Sequence, residues 1–324
     1  MKGAYMRCFA GLLLVVGILD GPLSFAGDCR NYLLFKLSRG GSQAYVLGSN
    51  HYGEPVAPTL SGEVITALKL SSSVYFEVAR SQNGPAASSV VSSFAQSMRL
   101  PVDQRLSSIL DEDLRSELSA AFARIPQGDT LLAGLERSRP LFLALVLMRF
   151  ADSNTTDLAP THAVVSGVGK FSIDKVIFDI AKQKRKQFGV LEDAQSLARV
   201  FDLSLEREIE VLRATLAVVR SKSSQQELAS MKKSLDRLLR DGEIDLAVES
   251  QAAAYQKFGL SELFRVIVEQ RNELFAKRIE EVSRPPRIPF FAMGALHLGG
   301  KSGVLNLLRD QGFTVTAVPQ RPSC

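Results

Sequence analysis

The sequence predicts an α/β fold: a mixed central sheet built from strands near the N- and C-terminal ends, with a large helical insertion over roughly residues 100–285. Three observations carry this. Ile288 to Gly303 reads IPFFAMGALHLGGKSG, an apolar burst bounded by proline before it and glycine after it, as fully buried strands are. Tyr45 to His51, YVLGSNH, repeats the arrangement near the other end, so a strand–Gly-x-x-His unit occurs twice, with glycines Gly48 and Gly294 and histidines His51 and His297. Between Gln43 and Val78 a strand, a helical stretch and a second strand follow one another, which is the grammar of a parallel sheet.

In chain order, Tyr32–Leu37 and Gln43–Gly48 form a hairpin across Ser38-Arg39-Gly40-Gly41. Leu60–Leu70 is a helix, and Ser73–Val78 a strand carrying Glu77 near its end. Residues 81–100, rich in Ser, Ala, Asn and Gly, are a loop or weak helix. Helical patterning begins at Asp103, breaks at Pro126-Gln127-Gly128, and resumes at Arg139-Pro140 with LFLALVLMRFA, apolar on most sides and too short to span a bilayer. After an irregular stretch holding His162, a helix covers Ile173–Lys186 and a short strand Phe188–Leu191 ends at Glu192. Amphipathic helices follow at Asp193–Phe201, Leu205–Val219, Gln225–Arg240, Glu243–Tyr255 and Leu260–Val282, the last stopped by Pro285-Pro286. Phe313–Val318 closes the sheet, and no linker divides residues 27–324 into separate domains.

Residues 1–26 read as a signal peptide: Lys2 and Arg7 precede an apolar run from Cys8 to Leu19, Pro22 breaks it, and Ser24-Phe25-Ala26 is a cleavage site. Removing them takes away Lys2, Arg7 and Asp20 and lowers the net charge from +5 to +4. The expected location is periplasmic or secreted, with no stable membrane span after cleavage. In such an oxidising compartment the two remaining cysteines, Cys29 and Cys324, suggest a disulfide. The loop it closes would constrain the unfolded chain by about 4–5 kcal/mol. Lys and Arg are interspersed with Asp and Glu and form no basic stripe, so nucleic acid is not an expected partner.

The chain has only three histidines, and two stand in the Gly-x-x-His units. Imidazole is a common metal ligand and titrates near neutrality. Glu77 at a strand end offers a carboxylate, and a carboxylate in an apolar strand needs a partner. Two histidines and a carboxylate suit a divalent metal with open positions; core or capping histidines are the alternative. Gly294 to Ser302 imitates a phosphate-binding loop, but its spacing is one residue too long. Ser230-Met231-Lys232-Lys233 matches Ser-x-x-Lys without the partner motifs of that chemistry.

The chain resembles the TraB/GumN family, related to the TIKI metalloproteases, in Gly48-Ser49-Asn50-His51, in Glu77 of VYFEV and in GALHLGGKSGVLNLLRDQGFTV at 294–315. The resemblance extends to Arg139-Pro140, the helix from Asp174, Leu191-Glu192, LRDGEIDLA at 239–247 and Arg271-Asn272. It implies His51, His297 and Glu77 as the core of a site holding manganese, cobalt or zinc, with Glu77 a third ligand or the base that takes a proton from water. Asn50, Glu192, Arg271 and Asn272 are then candidates for orienting ligands or substrate, with helix-surface charge and loop capping as their plainer readings. The implied activity is metal-dependent hydrolysis of a peptide or protein. The alternative is a non-catalytic periplasmic binding or regulatory protein taking a peptide or a haem-like ligand.

Overall fold

The computed structural model describes residues 33–49, 59–77, 96–152 and 173–319. The leader at 1–26, Cys29, Cys324, Asn50, His51 and His162 lie outside these residues, as does most of the 81–100 segment.

The hairpin forms from β1 (Leu33–Arg39) and β2 (Ser42–Ser49), paired from Leu33↔Gly48 to Arg39↔Ser42. Its turn is tighter than the sequence suggested. Gly40 and Gly41, at φ 52° and 82°, form a two-residue left-handed turn whose twist matches the flanking strands. Helix α1 (Gly62–Leu70), capped by Ser61 Oγ accepting from Val64 N–H at 3.3 Å, leads to β3 (Ser73–Phe76).

Helices α2 (Leu106–Ile109), α3 (Glu112–Phe122), α4 (Gly128–Gly134) and α5 (Pro140–Asp152) follow, then α6 (Ile173–Gln183) and β4 (Gln187–Val190). The chain continues through α7 (Ala194–Val200), α8 (Leu205–Arg220), α9 (Lys222–Arg240), α10 (Ile244–Lys257) and α11 (Ser261–Phe264). A π-helical turn (Arg265–Glu269) joins α11 to α12 (Gln270–Val282). Then come β5 (Pro289–Gly294), a 3₁₀ turn (Ala295–His297), α13 (Val304–Asp310) and β6 (Thr314–Ala317).

The sheet order is β4-β3-β5-β2-β1-β6. The strand predicted to organise the chain, β5, lies between β2 and β3, is parallel to both, and is buried along its whole length. Its alternate residues serve two cores. Phe290 and Ala292 pack with α1 and α6, whereas Phe291 and Met293 pack with α12 and α13. Coverage of both faces explains why the strand reads as continuous apolar sequence rather than as an alternation. Helix α1, the next described element after β2, covers one face of the sheet, and α13, which follows β5, covers the other. The carboxyl ends of the neighbours β2 and β5 therefore form the switch point where open α/β sheets accept ligands.

The helical region forms its own core around α5, whose residues 141–148 are all buried, packed with α8. Arg139 and Glu208 tie the two helices together. Arg139 Nη2 meets Glu208 Oε1 at 2.5 Å, and Glu208 Oε2 accepts from Leu141 N–H at 3.4 Å in the first turn of α5. Burial pushes the Glu208 carboxyl up to about 7, against the opposing charge and hydrogen bond of Arg139. A carboxyl raised above its ordinary 4.5 binds its proton more tightly folded than unfolded. Its stabilisation is therefore complete below about 4.5 and lost as pH rises to about 7. Chemical denaturation is expected to show the protein about 2–3 kcal/mol less stable at pH 8 than at pH 5 from this group. Glu208→Gln should flatten most of that slope; an unchanged slope would assign it elsewhere.

Candidate functional site at the carboxyl edge of the parallel strands

Strands β3 and β4 run in parallel, and their pairing continues one step past both ends. Leu191 N–H donates to Phe76 O at 2.8 Å and Glu192 N–H to Glu77 O at 3.0 Å. Two acidic residues that are far apart in sequence thus become neighbours. The register Ser49↔Gly294 aligns β2 with β5, so Gly48 and Gly294, the glycines that open the two Gly-x-x-His motifs, lie one step apart on adjacent strands. Gly48 is needed for close approach: a Cβ there would meet Leu298 Cδ1 at 2.7 Å and Leu33 Cβ at 3.0 Å. Gly294 has an ordinary φ of −56°. Its contribution is its backbone N–H, which donates to Glu77 Oε1 at 2.6 Å.

Arg271 lies at the centre, fully buried. Its Nε donates to Glu192 Oε1 and Oε2 at 3.0 and 3.1 Å. Its Nη2 donates to Glu77 Oε2 at 2.8 Å and also to Glu192 Oε1. Its Nη1 donates to Ile267 O at 3.3 Å and faces His297 Nε2 at 3.2 Å. Burial opposes the charges of this trio. It pushes the Glu192 carboxyl up, whereas Glu192 and then Glu77 hold the Arg271 guanidinium charged against that same burial.

Asn272 decides the state of His297. Its Nδ2 donates to Ser302 O at 2.9 Å, so Oδ1 is the atom facing His297 Nδ1 at 2.6 Å and accepts from it. With the proton on Nδ1, Nε2 carries the lone pair. Nε2 points toward Glu77 Oε1, 3.7 Å away, and the ring stands edge-on to Phe275 with centroids 4.9 Å apart. Arg271 and Asn272 are consecutive, and the π-helical turn precedes them, with Gln270 N–H donating to Arg265 O. Such a turn re-aims the side chains that follow it.

The loop after His297 is clamped from outside. Asp245 Oδ1 accepts from Gly300 N–H at 2.8 Å, and Asn306 Nδ2 donates to Gly300 O at 2.8 Å. A carboxylate on that N–H is the opposite of a phosphate cradle, in agreement with the spacing argument. Asp245, Phe275, Ser302 and Asn306 were not singled out from the sequence. Asp245 lay within LRDGEIDLA, and Ser302 and Asn306 within GALHLGGKSGVLNLLRDQGFTV, whereas Phe275 lay in no quoted motif.

Of the predicted site residues, Glu77, Glu192, Arg271, Asn272 and His297 converge, with Gly48 and Gly294 shaping their surroundings. Glu192, Arg271 and Asn272 are buried partners rather than surface charge or loop caps. Asn50 and His51, which follow β2 in the sequence, lie outside the described residues. Among the described residues no three or more of His, Cys, Asp and Glu are grouped to hold a metal ion, and no helix is long and apolar enough to cross a membrane.

A polar cluster sunk at the switch point of a mixed sheet marks an α/β protein whose candidate site draws Glu77 and His297 from the strands near its two ends and Glu192, Arg271 and Asn272 from the region between them. The family model of the TraB/PrgY/gumN family matches residues 33–317, and the chain belongs to that family. No curated protein and no solved structure matches it.

Proposed function

We propose that the protein is an exported metal-dependent hydrolase acting on peptide bonds, with His297, Glu77 and His51 holding a divalent metal such as manganese, cobalt or zinc. The observation that supports it most is His297 Nε2 facing Glu77 Oε1 at 3.7 Å while Asn272 keeps the proton on Nδ1. A neutral imidazole locked in this tautomer is the form that binds metal, and 3.7 Å is near the spacing of two donors around one ion. The donor set fits a divalent ion, with His51 as the third contributor from the neighbouring motif. A metal bound there supplies Lewis acidity and lowers the pKa of a bound water.

The chain's own residues do the rest. Arg271 and Gly294 N–H fix the plane of the Glu77 carboxylate, one oxygen each. That position beside His297 favours Glu77 as a ligand over Glu77 as the base. Export rests on the leader-like residues 1–26.

A second reading, a peptide- or haem-like-ligand binding or regulatory protein without turnover, is favoured by one contact: Arg271 Nη1 already lies on the His297 Nε2 that chemistry would use. Elemental mass spectrometry of the mature protein, purified without chelator, separates the two. Near-stoichiometric metal, lost in the His51→Ala/His297→Ala double variant, is expected. Metal-free protein that stays so after addition of manganese, cobalt or zinc would overturn the hydrolase reading, and a Soret band would turn it toward haem.

A further inference from the structure

We propose that Arg271 is an internal latch on the site: its guanidinium competes with the metal ion for His297 and Glu77, and Glu192 is the counter-ion that holds it when it withdraws. This rests on the metal reading above.

His297 Nε2 has one lone pair, and with the proton on Nδ1 that lone pair is the acceptor for Arg271 Nη1 at 3.2 Å. A metal ion needs the same electrons, so the two contacts exclude each other. Arg271 also occupies Glu77 Oε2 through Nη2 at 2.8 Å, while Gly294 N–H occupies Oε1. The guanidinium is well placed to yield. Its Nε lies on both oxygens of Glu192, and Nη1 has a second acceptor in Ile267 O of the π-helical turn. A pivot about the Glu192 contact lifts Nη1 from the imidazole without exposing an unpaired charge. Glu192 therefore sets how firmly Arg271 leans on Glu77 and His297, although it is not one of the proposed ligands. Lysine keeps the charge and can reach a carboxylate, but lacks the planar fork that touches Glu192, Glu77 and His297 together.

The test is manganese and zinc affinity of the full mature chain by competition with a chromophoric chelator, alongside imidazole ¹⁵N spectra of the metal-free protein. Arg271→Lys should bind about tenfold or more tightly than wild type, as expected on losing a hydrogen bond from a charged donor. The His297 Nε2 signal of the metal-free variant should move toward that of an imidazole nitrogen without a donor. Glu192→Gln, isosteric and neutral, should bind about tenfold more weakly, because Arg271 then leans wholly on Glu77. If folded Arg271→Lys binds as wild type or more weakly, the latch is overturned and the metal reading stands. If wild type and both variants fold and bind no metal, both readings fall. Should Arg271→Lys not fold, Glu192→Gln decides, since unchanged or tighter binding overturns the latch.

Discussion

Arg271→Met is expected to be among the most damaging single substitutions in this protein, costing about 3–5 kcal/mol of stability. The guanidinium is fully buried and is the shared partner of Glu77 and Glu192. Methionine fills much of the volume but leaves two carboxylates in a low-dielectric site without the charge that offsets their desolvation. Removing one partner of a buried pair costs far more than the pair itself contributes, so the effect should greatly exceed that of exposed pairs such as Arg207–Glu210. Urea denaturation with a linear extrapolation reads it directly. A loss below about 1 kcal/mol would mean the carboxylates take up protons in place of the guanidinium. The double variant Arg271→Met/Glu192→Gln should recover part of the loss, because it buries one carboxylate fewer.

Asn272→Leu is the second large effect, and it acts on the site more than on the fold. The side chains are similar in size, but leucine accepts nothing from His297 Nδ1 and donates nothing to Ser302 O. A buried N–H left unmade costs about 1–3 kcal/mol. The imidazole is also freed to carry its proton on Nε2, the nitrogen proposed to face the metal. Groups that orient a metal-bound histidine through its other nitrogen typically change affinity by about 10–100-fold. Asn272→Leu should therefore bind manganese or zinc about 10–100-fold more weakly, and Asn272→Asp, which keeps an acceptor, should recover most of it. Equal affinity in Asn272→Leu would remove Asn272 from the site's machinery.

Arg271 and Asn272 are neighbours whose burial the helical pattern does not announce, although the family resemblance marks both as candidates. Within an amphipathic helix, Arg271 reads as one more cation on a charged face. Its burial follows from the π-helical turn and from carboxylates arriving on β3 and β4. Nothing in the side-chain pattern of RVIVE distinguishes that turn from an α-helical one, because both present the same apolar residues to the core.

The sequence by itself determined the local grammar. Ser38-Arg39-Gly40-Gly41 marked the hairpin turn, the IPFFAM burst marked a fully buried strand, and the order of the two Gly-x-x-His motifs and Glu77 identified the family. Each of these depends on near neighbours along the chain, where spacing and backbone preference act directly. Only the tertiary structure decided that Glu77 meets Arg271 across 194 positions, that Glu192 meets it across 79, and that Asn272 selects the His297 tautomer across 25. Such pairings follow from sheet order and strand register, which put β3 and β4 side by side and β5 between β2 and β3. A buried charge has no periodicity of its own; it is recognisable only once its counter-charge has been brought to it.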